Sequence, residues 1–272
     1  MPHEIRVTTP DELAAMPRPK AWLCDMDGVL IHENLALPGA NEFIKALESS
    51  KIPYLVLTNN SIFTRRDLSA RLATSGLQIP EDRIWTSAAA TADFLASQSP
   101  GGSAFVIGEA GLTTALHQYG FVMTESDPEF VVLGETRNYS FSAITQAIRL
   151  IEGGAKFIAT NPDATGPSAE GPLPATGSVA ALITTATNRQ PYFVGKPNPI
   201  MIRAGLNLIG VHSETTAFVG DRMDTDMRSG LETGLQTHLV LTGSTDLADV
   251  DTFPFRPMAI HEGIAGVIPL IS

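Results

Sequence analysis

The sequence predicts an α/β protein in which one parallel-sheet domain carries a second, inserted one. Three observations predict it. Short apolar runs alternate with segments of helical periodicity along nearly the whole chain. Several of those runs end in polar residues, at intervals close to the length of one βαβ or βα unit. Between the second and third of these polar ends lies a stretch of roughly 100 residues with an α/β pattern of its own, the length of a small domain.

Residues 1–20 read as an extension, broken by Pro2, Pro10, Pro17 and Pro19, with one short helix capped by Thr9 and opened by Pro10. The apolar run Ala21-Trp22-Leu23-Cys24 reads as a buried strand that leads into Asp25-Met26-Asp27-Gly28-Val29-Leu30. Two carboxylates two residues apart on an extended backbone point the same way, and Gly28 lets the chain turn sharply. Open α/β sheets place their active sites at this end of their strands. An EF-hand calcium loop is excluded, because its Gly stands sixth and this one stands fourth.

After Leu37-Pro38-Gly39, the stripe Phe43, Ile44 and Leu47 marks a helix over 41–50. Pro53 to Leu57 is an apolar strand ending at Thr58-Asn59-Asn60-Ser61. One crossover separates Asp25 from Thr58, so Thr58 is expected beside Asp25 at the same sheet edge. A helix over 64–74 follows.

From about Arg83 the pattern restarts, with helices over 88–97, 112–119 and 141–151 alternating with strands over 104–107, 130–133 and 156–160. A Pro- and Gly-rich stretch, 161–177, leads into a helix over 178–187. No internal self-similarity accompanies it, so 83–183 reads as an insertion and not a repeat. It divides the first domain into 1–82 and 184–272. That domain resumes with a strand at Tyr192-Phe193-Val194, which ends at Gly195-Lys196-Pro197. A helix over 199–208 precedes the strand Thr216-Ala217-Phe218-Val219, which ends at Gly220-Asp221-Arg222-Met223-Asp224-Thr225-Asp226. A helix over 227–233, a strand over 238–241 and a tail with room for one more strand complete the chain.

Composition narrows the function. With 272 residues, 43% hydrophobic and 17% charged, the chain has material for a substantial core. Eighteen basic against twenty-nine acidic residues give a net charge of −11, which disfavours nucleic acid and anionic membrane as partners. A small anionic substrate stays open, because one cation and a few backbone amides dominate locally. The single cysteine, Cys24, sits in the first strand and reads as a small core residue. With no intrachain disulfide, no signal peptide and no apolar run long enough to span a bilayer, a soluble, cytoplasmic protein is expected.

Four strand ends carry polar groups that core packing does not need: Asp25 with Asp27, Thr58, Lys196, and Asp221 with Asp226. Their spacing predicts convergence on one face of one sheet. Converging carboxylates repel unless neutralised, and a few carboxylates with several waters describe a Mg²⁺ site. The Thr58 hydroxyl, the Asn59 amide, Lys196 and the cation together suit a phosphate group. Catalysis of phosphoryl transfer is mostly positioning and charge neutralisation. Water could be the direct nucleophile, but the acidic pair allows a better division of labour, in which Asp25 attacks phosphorus to form an aspartyl phosphate. Asp27 protonates the leaving oxygen and then deprotonates the hydrolytic water.

Other motifs carry less. Lys196 is not a P-loop lysine, since Gln190 stands where the first Gly belongs. Gly108-x2-Gly111 lacks a full dinucleotide fingerprint, and the six His residues show no zinc-binding pair. Arg222, in the acidic loop, is a candidate substrate contact or a surface salt bridge. Asn161 and Asp163 are candidate substrate contacts from the inserted segment.

The motifs Asp25-Met26-Asp27-Gly28-Val29, Thr58-Asn59, Lys196-Pro197 and Gly220-Asp221-x4-Asp226 resemble the four motifs of haloacid-dehalogenase-type phosphatases, in order and spacing. Asp27 to His32, Leu37-Pro38-Gly39, Phe157 to Asp163, Val194 to Pro197 and Pro254-Phe255-Arg256-Pro257 resemble the NagD-type subgroup. The resemblance runs from about Ala21 to the C-terminus and implies a Rossmann-like, doubly wound parallel core with an inserted α/β cap. It also implies Mg²⁺ held by Asp25, the Asp27 backbone carbonyl and Asp221, with Asp226 in support, and phosphate held by Thr58, Asn59 and Lys196. The stretch 164–177 has no match to the family pattern and leaves the substrate open.

The expected activity is a Mg²⁺-dependent phosphomonoesterase acting on a small phosphorylated metabolite, a nucleoside monophosphate or a sugar phosphate. The expectation leaves room for a homo-oligomer formed through the cap. A phosphomutase would use the same acidic pair but retain a bisphosphate. A phosphoacceptor signalling domain would be about half this length, with its acidic pair preceding a later acceptor Asp.

Overall fold

The computed structural model describes residues 5–166 and 171–271. Residues 167–170, in the middle of the Pro- and Gly-rich stretch, lie outside the described residues. The chain forms two compact units, one of Met1–Thr58, Arg66–Trp85 and Ile202–Ser272, the other of Asn59–Arg65 and Thr86–Met201.

In chain order the sheet strands begin with β1 (Ala21–Asp25), β2 (Tyr54–Thr58) and β3 (Ile84–Thr86). Next come β4 (Ser103–Ile107), β5 (Val122–Met123), β6 (Phe130–Leu133), β7 (Lys156–Ala159) and β8 (Tyr192–Phe193). The last three are β9 (Thr216–Gly220), β10 (Gln236–Val240) and β11 (Ala259–His261), the last being the strand the tail had room for.

The first sheet has the order β11-β10-β9-β1-β2-β3. Strand β1 runs parallel to both neighbours, with Cys24 level with Val219 on β9 and Asp25 level with Leu57 on β2. From β1 the chain builds outward through β2 to β3, then returns to the other side of β1 with β9. The strand order therefore reverses between β1 and β9, and it is at such a reversal, outside the carboxyl ends of the strands, that open α/β sheets bind their ligands.

Every residue of β1, β2, β9 and β10 is buried, as parallel strands covered on both faces require. Trp22 meets Phe43 of the helix Ala40–Ser49 edge to face, with ring centroids 5.6 Å apart. Phe43, Ile44 and Leu47 form the buried stripe of that helix. Cys24 is fully buried in β1, and its thiol faces the Asp25 carbonyl. At the N-terminus the helix Pro10–Ala14 has the expected cap, reinforced by Glu12 reaching back to the Thr9 backbone.

The second sheet has the order β8-β7-β6-β4-β5, all parallel. Phe105, Ile107, Val131, Leu133 and Phe157 form its core with Ile151 and Ile183, from the helices Phe141–Glu152 and Thr176–Thr187.

Two expectations are corrected by the sheets. The strand leading to Lys196 does not share a sheet with the strands leading to Asp25, Thr58 and Asp221. Instead Tyr192 and Phe193 pair with Ile158 and Ala159 at the edge of the second sheet. Two residues give no pattern that says which sheet edge they join. Strand β3 was not foreseen and belongs to the first sheet, where the sequence pattern had already restarted. Its three residues are too few to show a period, although all three are buried. Among the described residues no helix is long and apolar enough to cross a membrane.

Candidate active site

Strand β1 ends at Asp25, and the chain turns at once. Leu30 and Ile31 both donate their backbone N–H to the Met26 carbonyl, and Gly28 donates to Ile31 O at 2.8 Å. Gly28 holds φ at 82°, and a Cβ there would lie 2.7 Å from Asp221 Oδ2. Positive φ and close approach both demand glycine. The strand's side-chain alternation stops at Asp25, so the turn places Asp27. Asp25 is buried while Asp27 is exposed.

Beside β1, β9 ends at Gly220 and a wide π-helical turn, Met223–Met227, follows. Such turns are rare and concentrate at functional sites. The turn brings Asp226 back over the strand end, where its Oδ2 accepts from the Arg222 backbone N–H at 3.2 Å. Asp221 Oδ2 accepts from the Ser244 N–H at 2.7 Å. The Thr242 hydroxyl donates to the Gly28 carbonyl at 2.7 Å, tying this loop to the β1 turn.

Asp25, Asp221 and Asp226 thus form one buried cluster, with ligand oxygens all within 4.8 Å of one another. Burying three like charges together is costly unless a cation balances them. The donor set is oxygen only, which fits a hard divalent cation and not zinc or copper. Thr58, buried at the end of β2, follows the residue that is level with Asp25.

Of the remaining candidates, Asn59, Asn161, Asp163 and Lys196 lie in the second unit and Arg222 in the first. Asn59 donates from Nδ2 to Asp163 Oδ2 at 2.8 Å and to the Lys196 carbonyl at 3.0 Å. Asn161 Nδ2 donates to the Asn59 carbonyl at 2.9 Å. Lys196 is 3% exposed, and its peptide bond to Pro197 is cis. Arg222 makes a forked ion pair with Asp224, at 3.0 and 2.8 Å, so the salt-bridge reading of that residue describes its geometry.

The sequence reading missed the loop Thr242-Gly243-Ser244. A signal was there: the apolar run Leu239-Val240-Leu241 again ends in polar residues, as the runs before Asp25, Thr58 and Asp221 do.

Residues 22–122 match the Haloacid dehalogenase-like hydrolase family, and residues 193–267 match a HAD-hydrolase-like family. A dihydroxyacetone phosphatase of Corynebacterium glutamicum is 62% identical over 90% of this chain and 89% of its own. The ribonucleotide monophosphatase NagD of Escherichia coli is 44% identical over 91% of this chain and 98% of its own. The solved structure of the E. coli K-12 protein superposes with a TM-score of 0.87, covering 92% of this chain and 98% of that one. A 4-nitrophenylphosphatase from Thermotoga maritima, 32% identical, gives 0.89, covering 93% of this chain and 98% of its own.

Proposed function

Since the chain belongs to the haloacid dehalogenase-like hydrolases, as a NagD-type phosphatase, we propose that it hydrolyses small phosphomonoesters through an aspartyl phosphate on Asp25, with Mg²⁺ as cofactor. The buried cluster of Asp25, Asp221 and Asp226 at the strand-order reversal carries this reading. A divalent metal is general to the family, and an oxygen-only donor set suits Mg²⁺.

Asp25 is the nucleophile. One of its carboxylate oxygens bonds to phosphorus as the phosphorus–ester oxygen bond breaks. Asp27, exposed beyond the turn, gives its proton to the departing oxygen. As a carboxylate it then takes a proton from water, whose oxygen attacks phosphorus. The bond to Asp25 breaks, phosphate leaves, and both residues return to their starting state. When bound, the cation neutralises charge between nucleophile and phosphate. Thr58 and Lys196 supply a hydroxyl and a positive charge to the phosphate oxygens.

The substrate class is a short phosphorylated sugar, with dihydroxyacetone phosphate first to be tested because the 62% identical relative is named for it. Nucleoside monophosphates are the second reading, on the name of the 44% identical relative. The inserted segment, 83–183, makes the choice, since the phosphate is common to all candidates. Phosphate release should be measured from a panel of triose, hexose and nucleoside phosphates, with and without EDTA and with Asp25→Asn. We expect turnover to need added Mg²⁺ and to vanish in Asp25→Asn. Full activity after verified metal removal, or in Asp25→Asn checked for deamidation, would overturn the proposal.

A further inference from the structure

We propose that Asp163 is a positioning residue for the phosphatase reaction, acting through the Asn59 side-chain amide to hold the backbone of Lys196. The inference rests on the role of Lys196 in phosphate binding proposed above.

The Asn59 Nδ2 has two acceptors, the Asp163 carboxylate at 2.8 Å and the Lys196 carbonyl at 3.0 Å. A carboxylate and a carbonyl only accept, so the NH₂ end of the amide must face both. Both amide donors are then committed. The side chain of Asn59 has none left for a phosphate. The other end, Asn59 Oδ1, is buried with no hydrogen-bond partner. Such an orphan acceptor is costly. The amide keeps this orientation because one of its two bonds is charge-assisted, which makes it the stronger kind.

The bracket around Asn59 is closed on its other sides. Its carbonyl accepts from Asn161 Nδ2 at 2.9 Å and from the Ser87 hydroxyl at 2.7 Å. Asp163 is itself held, its N–H donating to Asn161 Oδ1 at 3.1 Å and its carbonyl accepting from Gly177 N–H at 2.8 Å. The residue before Lys196 passes so close that a Cβ on Gly195 would lie 2.7 Å from Asn59 Oδ1 and 3.0 Å from Ser87 Cβ. A carboxylate on Asp163 thereby fixes an amide, and the amide fixes the main chain that carries a buried lysine.

The test compares Asp163→Ala and Asp163→Asn in the full-length enzyme. It reads kcat and KM for p-nitrophenyl phosphate, dihydroxyacetone phosphate and a nucleoside monophosphate, and the inhibition constant of inorganic phosphate. Loss of one charge-assisted hydrogen bond predicts a roughly ten- to hundredfold fall in kcat/KM for Asp163→Ala. The factor should be the same for all three substrates, with weaker inhibition by phosphate. Asp163→Asn keeps an accepting oxygen without the charge and should recover part of the loss. In an Asn59→Ala background, Asp163→Ala should cost nothing further. If Asp163→Ala does not fold, Asp163→Ser, too short to reach Nδ2, takes its place.

A changed substrate ranking would make Asp163 a substrate contact and overturn the proposal. So would unchanged kinetics, or equal losses in the Ala and Asn variants. Lys196→Met separates the underlying reading: if it leaves phosphate inhibition unchanged, the role of Lys196 fails. If it weakens inhibition while Asp163→Ala does not, only the positioning role fails.

Discussion

The core holds a pair of histidines whose removal should change how stability depends on pH. His238 on β10 and His261 on β11 are buried, with Nδ1 of the first 3.1 Å from Nε2 of the second. The rings stack at 5.3 Å, and Trp22 lies 5.5 Å from His238. Burial, and after it the neighbouring ring, push His238 down to about 3. Burial pushes His261 down to about 4. In the unfolded chain both return to the ordinary value of about 6.5. Below that pH the unfolded chain binds protons that the folded chain refuses, so stability falls as pH falls. The contribution is fully present above about 6.5 and is lost progressively toward about 4 and then 3. At pH 5 the unfolded chain carries close to two extra protons, a cost on the order of 4 kcal/mol against a typical total of about 5–15. Urea unfolding at pH 7 and pH 5, in EDTA, should show this decline in the wild type. The double variant His238→Gln/His261→Gln should decline much less. Equal declines in the two proteins would refute the reasoning.

Asp27→Asn should slow turnover by about 10²–10⁴-fold, because both proton transfers lose their carrier; steady-state phosphate release checks it. Gly28→Ala should raise the Mg²⁺ concentration needed for half-maximal activity and lower Tm. Its Cβ would crowd Asp221 Oδ2 at 2.7 Å, and positive φ costs a residue with a side chain about 1–2 kcal/mol. Metal titration of activity and a thermal melt read the two effects. Exchanging 161–177 for the segment of a relative with another preference should alter relative kcat/KM between substrates and leave metal dependence unchanged, as measured on the same panel.

What the sequence alone determined is the class of chemistry and the places in the chain where it sits. Asp25, Thr58 and Asp221 each close an apolar run, and a polar group at the end of a buried parallel strand is legible because core packing gives no reason for it. The buried stripe of Phe43, Ile44 and Leu47 and the Thr9 cap were legible for the same local reason, a period or a hydrogen bond within a few residues. The tertiary structure decided what depends on partners distant in sequence. Strand β8 is two residues long, and only its pairing with β7 shows that Lys196 follows the second sheet. Asp226 enters the acidic cluster through a π-helical turn that no hydrophobic period announces. Asn59 and Asp163 stand far apart in sequence and meet through one amide whose orientation is set by which of its neighbours can only accept. Local sequence fixes backbone preference and burial; which strand lies beside which, and which donor meets which acceptor, is settled only when the chain closes on itself.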